Sequence, residues 1–203
     1  MRVALVTDSH LAPMPAAEAF NANWRAVRDF IARSEADLTI HLGDITVDGA
    51  TEQSHYTHAL SLSEDWPTPI RFLPGNHDIG DNPPGPGMAG DHLLDLARLA
   101  AFRDTFGPDY WTQDAGGWWL IALNAQLFGA DARAEEEQWE WLRRRVNEAD
   151  ARPVLLLLHK PLCHRDAADA RPHGRYVPFA QRQRLLSILK AVDLRLVLSG
   201  HAH

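Results

Sequence analysis

Five strand-forming runs in this chain each stop at a residue that can bind a cation or move a proton. Residues 3–7, 38–42, 70–73, 154–158 and 194–198 are dominated by Val, Ile, Leu and Phe. They lead into Asp8-Ser9-His10, Gly43-Asp44, Gly75-Asn76-His77-Asp78, His159 and Gly200-His201-Ala202-His203. A strand delivers the residue after its last apolar position to the edge of its sheet. In open α/β sheets the crevice beyond the carboxyl ends of the strands is where ligands bind. Five such endings call for one shared polar site, and they restrict the fold to the α/β class.

The segments between the runs read as scaffold. Helices are expected over residues 21–33, with Trp24, Val27 and Ile31 at core spacing, and over residues 52–63. A third is expected over 135–145, where three glutamates open and three arginines close the segment in accord with the helix dipole. Its buried stripe is Trp139, Leu142 and Val146. A fourth, over 179–191, packs through Leu185, Leu189 and Val192. Alternation of strand and helix argues for mainly parallel strands. Gly116-Gly117 reads as a hairpin turn that sends Trp118 and Trp119 to opposite faces. His41 lies inside its strand and is expected either behind the site or simply packed, and His55 and His58 fit an exposed helix face.

The residue types at the strand ends point to metal. Asp8, His10, Asp44, Asn76, His159, His201 and His203 make seven nitrogen and oxygen donors without a thiolate. Such a set suits manganese, iron, zinc or cobalt. If Asp44 bridges two ions, each keeps a position for water or substrate, as a catalytic site requires.

The order D-x-H, G-D, G-N-H-D, H and G-H-x-H, carried by Asp8 to His203, resembles the calcineurin-like metallophosphoesterase superfamily over nearly the whole chain. The resemblance implies a four-layer α/β/β/α sandwich with mixed sheets flanked by helices. It implies one ion on Asp8, His10, Asp44 and His203, and a second on Asp44, Asn76, His159 and His201. A hydroxide held between the ions would attack phosphorus. His77 would contact the phosphoryl group and protonate the leaving oxygen, and Asp78 would orient His77. Family members continue past the last ligand with strands that close the second sheet. A single domain over residues 1–203, truncated at its C-terminus and lacking those strands, is therefore expected.

Within the superfamily, Asp8-Ser9-His10-Leu11, Gly43-Asp44-Ile45 and Pro74-Gly75-Asn76-His77-Asp78 look closest to the bacterial cyclic-nucleotide and glycerophosphodiester phosphodiesterases. Gly49 follows Asp48 directly, where Ser/Thr protein phosphatases carry an arginine. The expected reaction is hydrolysis of a small phosphodiester such as a 3′,5′-cyclic nucleotide. A phosphomonoesterase or nucleotide pyrophosphatase could use the same ions, and a protein-binding scaffold is the alternative of another class.

A net charge of −7 disfavours nucleic acid as a partner, whereas two divalent ions would make the site itself positive. No apolar run reaches bilayer length, and the one cysteine excludes an internal disulfide. A cytoplasmic enzyme, free of membrane and able to form a homo-oligomer, is expected. Two loops leave the rim of the site. Residues 82–90 are rich in Pro and Gly, and residues 161–178 carry Cys163, His164, Arg165, His173, Arg175 and Tyr176, of which an arginine or histidine could contact a nucleoside or leaving group.

Overall fold

The computed structural model describes residues 1–83, 92–130 and 132–202. β1 (Val3–Val6), β2 (Leu38–His41) and β3 (Ile70–Phe72) form a parallel sheet in that order, with Val3 opposite Leu38 and Thr39 opposite Ile70. β4 (Trp111–Ala115), β5 (Trp118–Ala122), β6 (Pro153–Leu157) and β7 (Asp193–Leu198) form the second sheet, also in sequence order. Only its β4–β5 pair is antiparallel. The cause is local: Gly116 and Gly117 both take positive φ, 64° and 93°, which suits a two-residue hairpin. The other connections each carry a helix and return the chain parallel. The mixed character expected of both sheets therefore belongs to the second alone.

Period-two alternation divides each central strand between two cores. In β2, Leu38, Ile40 and the following Leu42 face the second sheet, where they meet Leu120, Ala122 and Leu157. Thr39 and His41 point the other way, against Trp66 and Trp24. α1 (Glu18–Arg33), α2 (Ser54–Ser63) and, beyond the single turn α3 (Asn76–Ile79), α4 (Leu96–Phe106) cover that face with Trp24, Ile31, Tyr56, Ala59 and Phe102. On the far side, Ile121, Leu123, Val154, Leu156 and Leu158 pack against α5 (Ala132–Val146) and α6 (Phe179–Leu189) through Trp139, Leu142, Leu185 and Leu189. The layers run α/β/β/α, as expected. Full burial of each such Leu, Ile or Trp contributes about 1.5–3 kcal/mol, so the three cores hold both sheets rigidly beneath their polar ends.

Some local readings change and others are extended. α4 was not anticipated; Asp95 caps it by accepting from the Arg98 N–H at 2.8 Å. His55 is buried, accepting the Asp48 N–H at 3.1 Å, rather than facing solvent. Trp118 and Trp119 do part to different cores, but each is only partly buried. Glu135 also does more than complement a helix dipole. It is buried and accepts from Trp139 Nε1 at 3.0 Å and the Gly129 N–H at 2.8 Å. No described helix is long and apolar enough to cross a membrane.

Candidate metal centre

The strands end but their pairing continues into the polar blocks. Asp8 N–H donates to the Gly43 carbonyl at 3.0 Å, His10 N–H to Asp44 at 3.1 Å, and Gly200 N–H to His159 at 3.0 Å. Within this ladder Asp8, His10, Asp44 and His201 all adopt left-handed backbone, with φ between 45° and 68°. Each such residue costs roughly 1–2 kcal/mol, and strain of this kind collects at functional sites. Here it turns the chain sharply and leaves the side chains over the crevice between the sheets. Two glycines permit the crowding. A Cβ on Gly75 would lie 2.1 Å from Asp44 Oδ1, and one on Gly200 would lie 2.0 Å from Thr7 Oγ1 and 2.6 Å from Asp8 Oδ2.

Asp44 is the common member of two donor groups. Its carboxylate, with one ring nitrogen each of His10 and His77, forms a set whose atoms lie within 4.8 Å of one another; Asp44, His159 and His201 form the second. Asn76 Oδ1 lies 3.3 Å from His159 Nε2, which is also 3.3 Å from Asp44 Oδ2. His159, Asn76 and His201 thus gather around Asp44. Of the first set, His10 and Asp44 come together. His77 takes a place beside His10 and Asp44, their rings 4.9 Å apart, while Asp8 turns its carboxylate to the backbone N–H of His201, at 3.1 and 3.2 Å. His203 lies outside the described residues.

The electrostatics prepare the donors. His159 Nδ1 meets the Leu42 carbonyl at 2.9 Å; a carbonyl only accepts, so Nδ1 carries the proton and Nε2 offers its lone pair. Burial raises the Asp44 carboxyl, but the adjoining His159 and the His77 N–H outweigh it and hold Asp44 well below the usual carboxylate range. Burial disfavours the His159 imidazolium, and Asp44 more than offsets that. Burial, His159 and Lys160 bring His201 down to about 4, keeping it neutral and able to ligate.

The Asp78 carboxylate has no hydrogen bond to the His77 ring among the described residues. The ring of His77 is held through Nδ1 by the Val47 carbonyl at 2.6 Å. The Asp78 carboxylate is fully buried and accepts four bonds, from the N–H groups of Gly75, Ile45 and Thr46 and from Thr46 Oγ1, at 2.8–3.1 Å. It clamps the Asp44 loop to the segment bearing Asn76 and His77, and so acts on His77 through the backbone. Burial and the charge of Asp44 push Asp78 up to about 6 against the donors of Gly75 and Thr46. Tyr56 of α2 adds to the clamp by donating to the Asp78 carbonyl at 2.6 Å.

Two further residues support the site. His41 accepts the Gly43 N–H at Nδ1 (3.2 Å), so Nε2 donates to Ser9 Oγ (2.9 Å), which passes its proton to the Ile45 carbonyl (2.9 Å). Between Trp24 and Phe72, it is both packed and tied to two of the ligand-bearing loops. Lys160 is buried and reaches Asp81 and Asn82, joining the end of β6 to the segment after Asp78. Nothing in its sequence context marks it, because a lysine after a histidine is an ordinary neighbour.

Two cavities open over these groups. One, of about 410 Å³, is lined by Asp44, His77, Asp81, His173, Gly174, Arg175 and His201. The other, of about 440 Å³, is lined by Asn76, His77 and Asp81 with Asp48 and His92. His77 and Asp81 stand in both. The loop of residues 161–178 therefore reaches the site through His173 and Arg175, whereas Cys163 lies apart from the donor groups. Of the 82–90 loop, residues 84–90 lie outside the described residues. The donor chemistry fits divalent ions: imidazole nitrogens, that of His159 aimed by the Leu42 carbonyl on its other nitrogen, an ionised carboxylate common to two groups, and supporting hydrogen bonds that aim them.

The family model for calcineurin-like phosphoesterase matches residues 1–203. A probable cyclic nucleotide phosphodiesterase of Synechococcus is 28% identical over all of this chain and 73% of its own length. The 3′,5′-cyclic adenosine monophosphate phosphodiesterase CpdA of Escherichia coli is 30% identical over 78% of this chain. The match spans 54% of that enzyme, so about half of it has a counterpart here. In fold, the chain superposes on a purple acid phosphatase from yellow lupin with a TM-score of 0.70 at 16% identity, covering 100% of this chain and 38% of the phosphatase. With the ligand blocks in order at the ends of five strands and one family model spanning them all, the chain belongs to the calcineurin-like phosphoesterase family of hydrolases.

Proposed function

We propose that this protein is a dinuclear metal-dependent phosphodiesterase acting on small diesters such as 3′,5′-cyclic nucleotides. The observation that carries the reading is Asp44, buried and common to two donor groups. His10 belongs to one group, His159 and His201 to the other; Asp8, Asn76 and His203 complete the sets as the sequence pattern assigns them. When bound, two ions such as manganese, iron or zinc would supply charge neutralisation at phosphorus and an activated water at neutral pH.

The chain's own groups do the rest. Asp44 and Asp78 stay in register because the four donors around Asp78 lock the two loops. His77, with Nδ1 engaged by Val47, keeps Nε2 for the substrate. In its imidazolium form that nitrogen donates to a phosphoryl oxygen and yields its proton to the departing alkoxide. The named activities of the cyanobacterial relative and of CpdA support the cyclic-nucleotide class.

The test compares hydrolysis of bis(p-nitrophenyl) phosphate and p-nitrophenyl phosphate by manganese-loaded protein, with Asn76→Ala as control. Faster cleavage of the diester, lost in the variant, is expected. Faster cleavage of the monoester would transfer the protein to the phosphomonoesterase reading.

A further inference from the structure

The segment between His159 and α6 builds a second compartment beside the metal-side cavity. This cavity, of about 460 Å³, has among its walls the rings of His164, His173, Tyr176 and Phe179, and its volume is in the range of small-molecule sites. His173 and Arg175 line it and also line the cavity over Asp44, His77 and His201. These two residues therefore stand on a wall common to both.

The compartment is built in advance of any ligand. Arg182 of α6 is 4% exposed and donates to the carbonyls of Leu162 and Ala167 at 2.9 Å, of Val177 at 3.4 Å, and of Asp169. One buried guanidinium thus fixes four carbonyls across the loop, and the Val177 N–H closes it onto the Pro161 carbonyl at 3.0 Å. Pre-organisation of this kind lowers the entropy lost on binding.

The lining has a definite chemistry. The Tyr176 ring lies 4.9 Å from His173 and 5.8 Å from His164, centroid to centroid, making a continuous aromatic wall. Phe179, 37% exposed, adds a further ring. The Arg175 guanidinium forms no ion pair with a carboxylate among the described residues. Rings beside a cation that no described carboxylate pairs recognise a planar π system by stacking, with an anion nearby.

We propose that this compartment is a subsite for a planar aromatic ester substituent, such as the base of a nucleotide diester whose phosphate lies over Asp44 and His77, with Arg175 between the two. The inference rests on the phosphodiesterase reading and adds the part of the substrate that the metal centre does not see.

The experiment measures kcat/KM of the manganese-loaded chain for thymidine 5′-(p-nitrophenyl phosphate) and methyl p-nitrophenyl phosphate, which share a leaving group and differ in carrying a nucleoside or a methyl group. A preference of about tenfold or more for the base-bearing diester, residing in KM, is expected. Tyr176→Ala and, separately, Phe179→Ala should each reduce that ratio several-fold, and Tyr176→Phe should keep it. An unchanged ratio in both alanine variants overturns the subsite and leaves the phosphodiesterase standing. Calorimetric titration with adenosine 5′-monophosphate needs no turnover, and Tyr176→Ala should raise its Kd about tenfold. If neither diester is cleaved while that difference in binding is seen, the phosphodiesterase reading falls and the subsite stands. Equal binding by wild type and Tyr176→Ala, or binding by neither, overturns the subsite.

Discussion

His159, carried on the second sheet, donates through Nδ1 to the carbonyl of Leu42 on the first at 2.9 Å, and the same ring presents Nε2 to Asp44 at 3.3 Å. One imidazole thus ties the two sheets together and aims a ligand atom. His159→Ala should lower metal content and also destabilise the metal-free protein, because the Leu42 carbonyl loses its partner. An unsatisfied buried acceptor costs about 1–3 kcal/mol. Urea unfolding in chelator, alongside atomic-emission metal analysis, reads the two effects apart. Metal-free stability equal to wild type would refute the tie.

Asp78→Asn retains the shape of the clamp and replaces one acceptor oxygen by an amide that faces donors. Two of the four bonds from Gly75, Ile45 and Thr46 are then lost. A destabilisation of about 2–4 kcal/mol is expected at about 1–2 kcal/mol for each donor left unpaired, with weaker metal binding as the Asp44 and Asn76 loops separate. Denaturation of the metal-free variant checks the first effect, and metal titration the second.

Gly75 and Gly117 should fail differently when replaced by alanine. At Gly75 the added methyl would sit 2.1 Å from Asp44 Oδ1, so Gly75→Ala should abolish stoichiometric metal uptake. At Gly117 nothing lies within 4 Å, but φ is +93°. Gly117→Ala should cost about 1–2 kcal/mol of backbone strain and leave metal content intact. Equal metal content in the two variants would contradict the steric account.

His41 carries a pH dependence. Burial lowers it from 6.5 to about 3, so the unfolded chain holds a proton on this ring across a window where the native chain does not. Stability therefore rises with pH between about 3 and 6.5 and is lost on acidification, by at most about 1.4 kcal/mol per pH unit from this group. His41→Gln should be less stable at pH 7, through weaker ties to Ser9 and Gly43, and should lose less stability between pH 6.5 and 4.5. Urea midpoints of metal-free protein across that range would show parallel curves if His41 were protonated in the native state.

Gln126, fully buried after β5, has neither amide atom paired among the described residues. Gln126→Met keeps the volume and removes the polar atoms, and should stabilise the fold by about 1 kcal/mol. A lower melting temperature in the variant would mean the amide holds a partner such as a buried water.

Much of this protein is local in origin and was legible as such. A run such as residues 38–42 ends where its apolar pattern ends, so Asp44 could be placed at the edge of a sheet without a contact map. The turn at Gly116-Gly117 and the stripe of Trp139, Leu142 and Val146 follow from backbone geometry and helical period in the same way. Other features had no local signal. His55 is polar and lies in a polar stretch, yet it is buried because Asp48 N–H needs an acceptor there. Nothing near Asp78 in the chain announces that its partners are Ile45 and Thr46. Lys160 joins Asp81 only because β6 and the segment after β3 end at one crevice. The sequence by itself determined which residue types stand at the strand ends, since strand length and side-chain alternation are properties of neighbouring residues. Only the tertiary structure decided which donors face one another, that His77 joins His10 and Asp44 in one donor group, and that His173 and Arg175 are side chains of the 161–178 loop that line the cavity over them. Those outcomes depend on how two sheets pack over a common core, and packing acts between residues far apart in the chain.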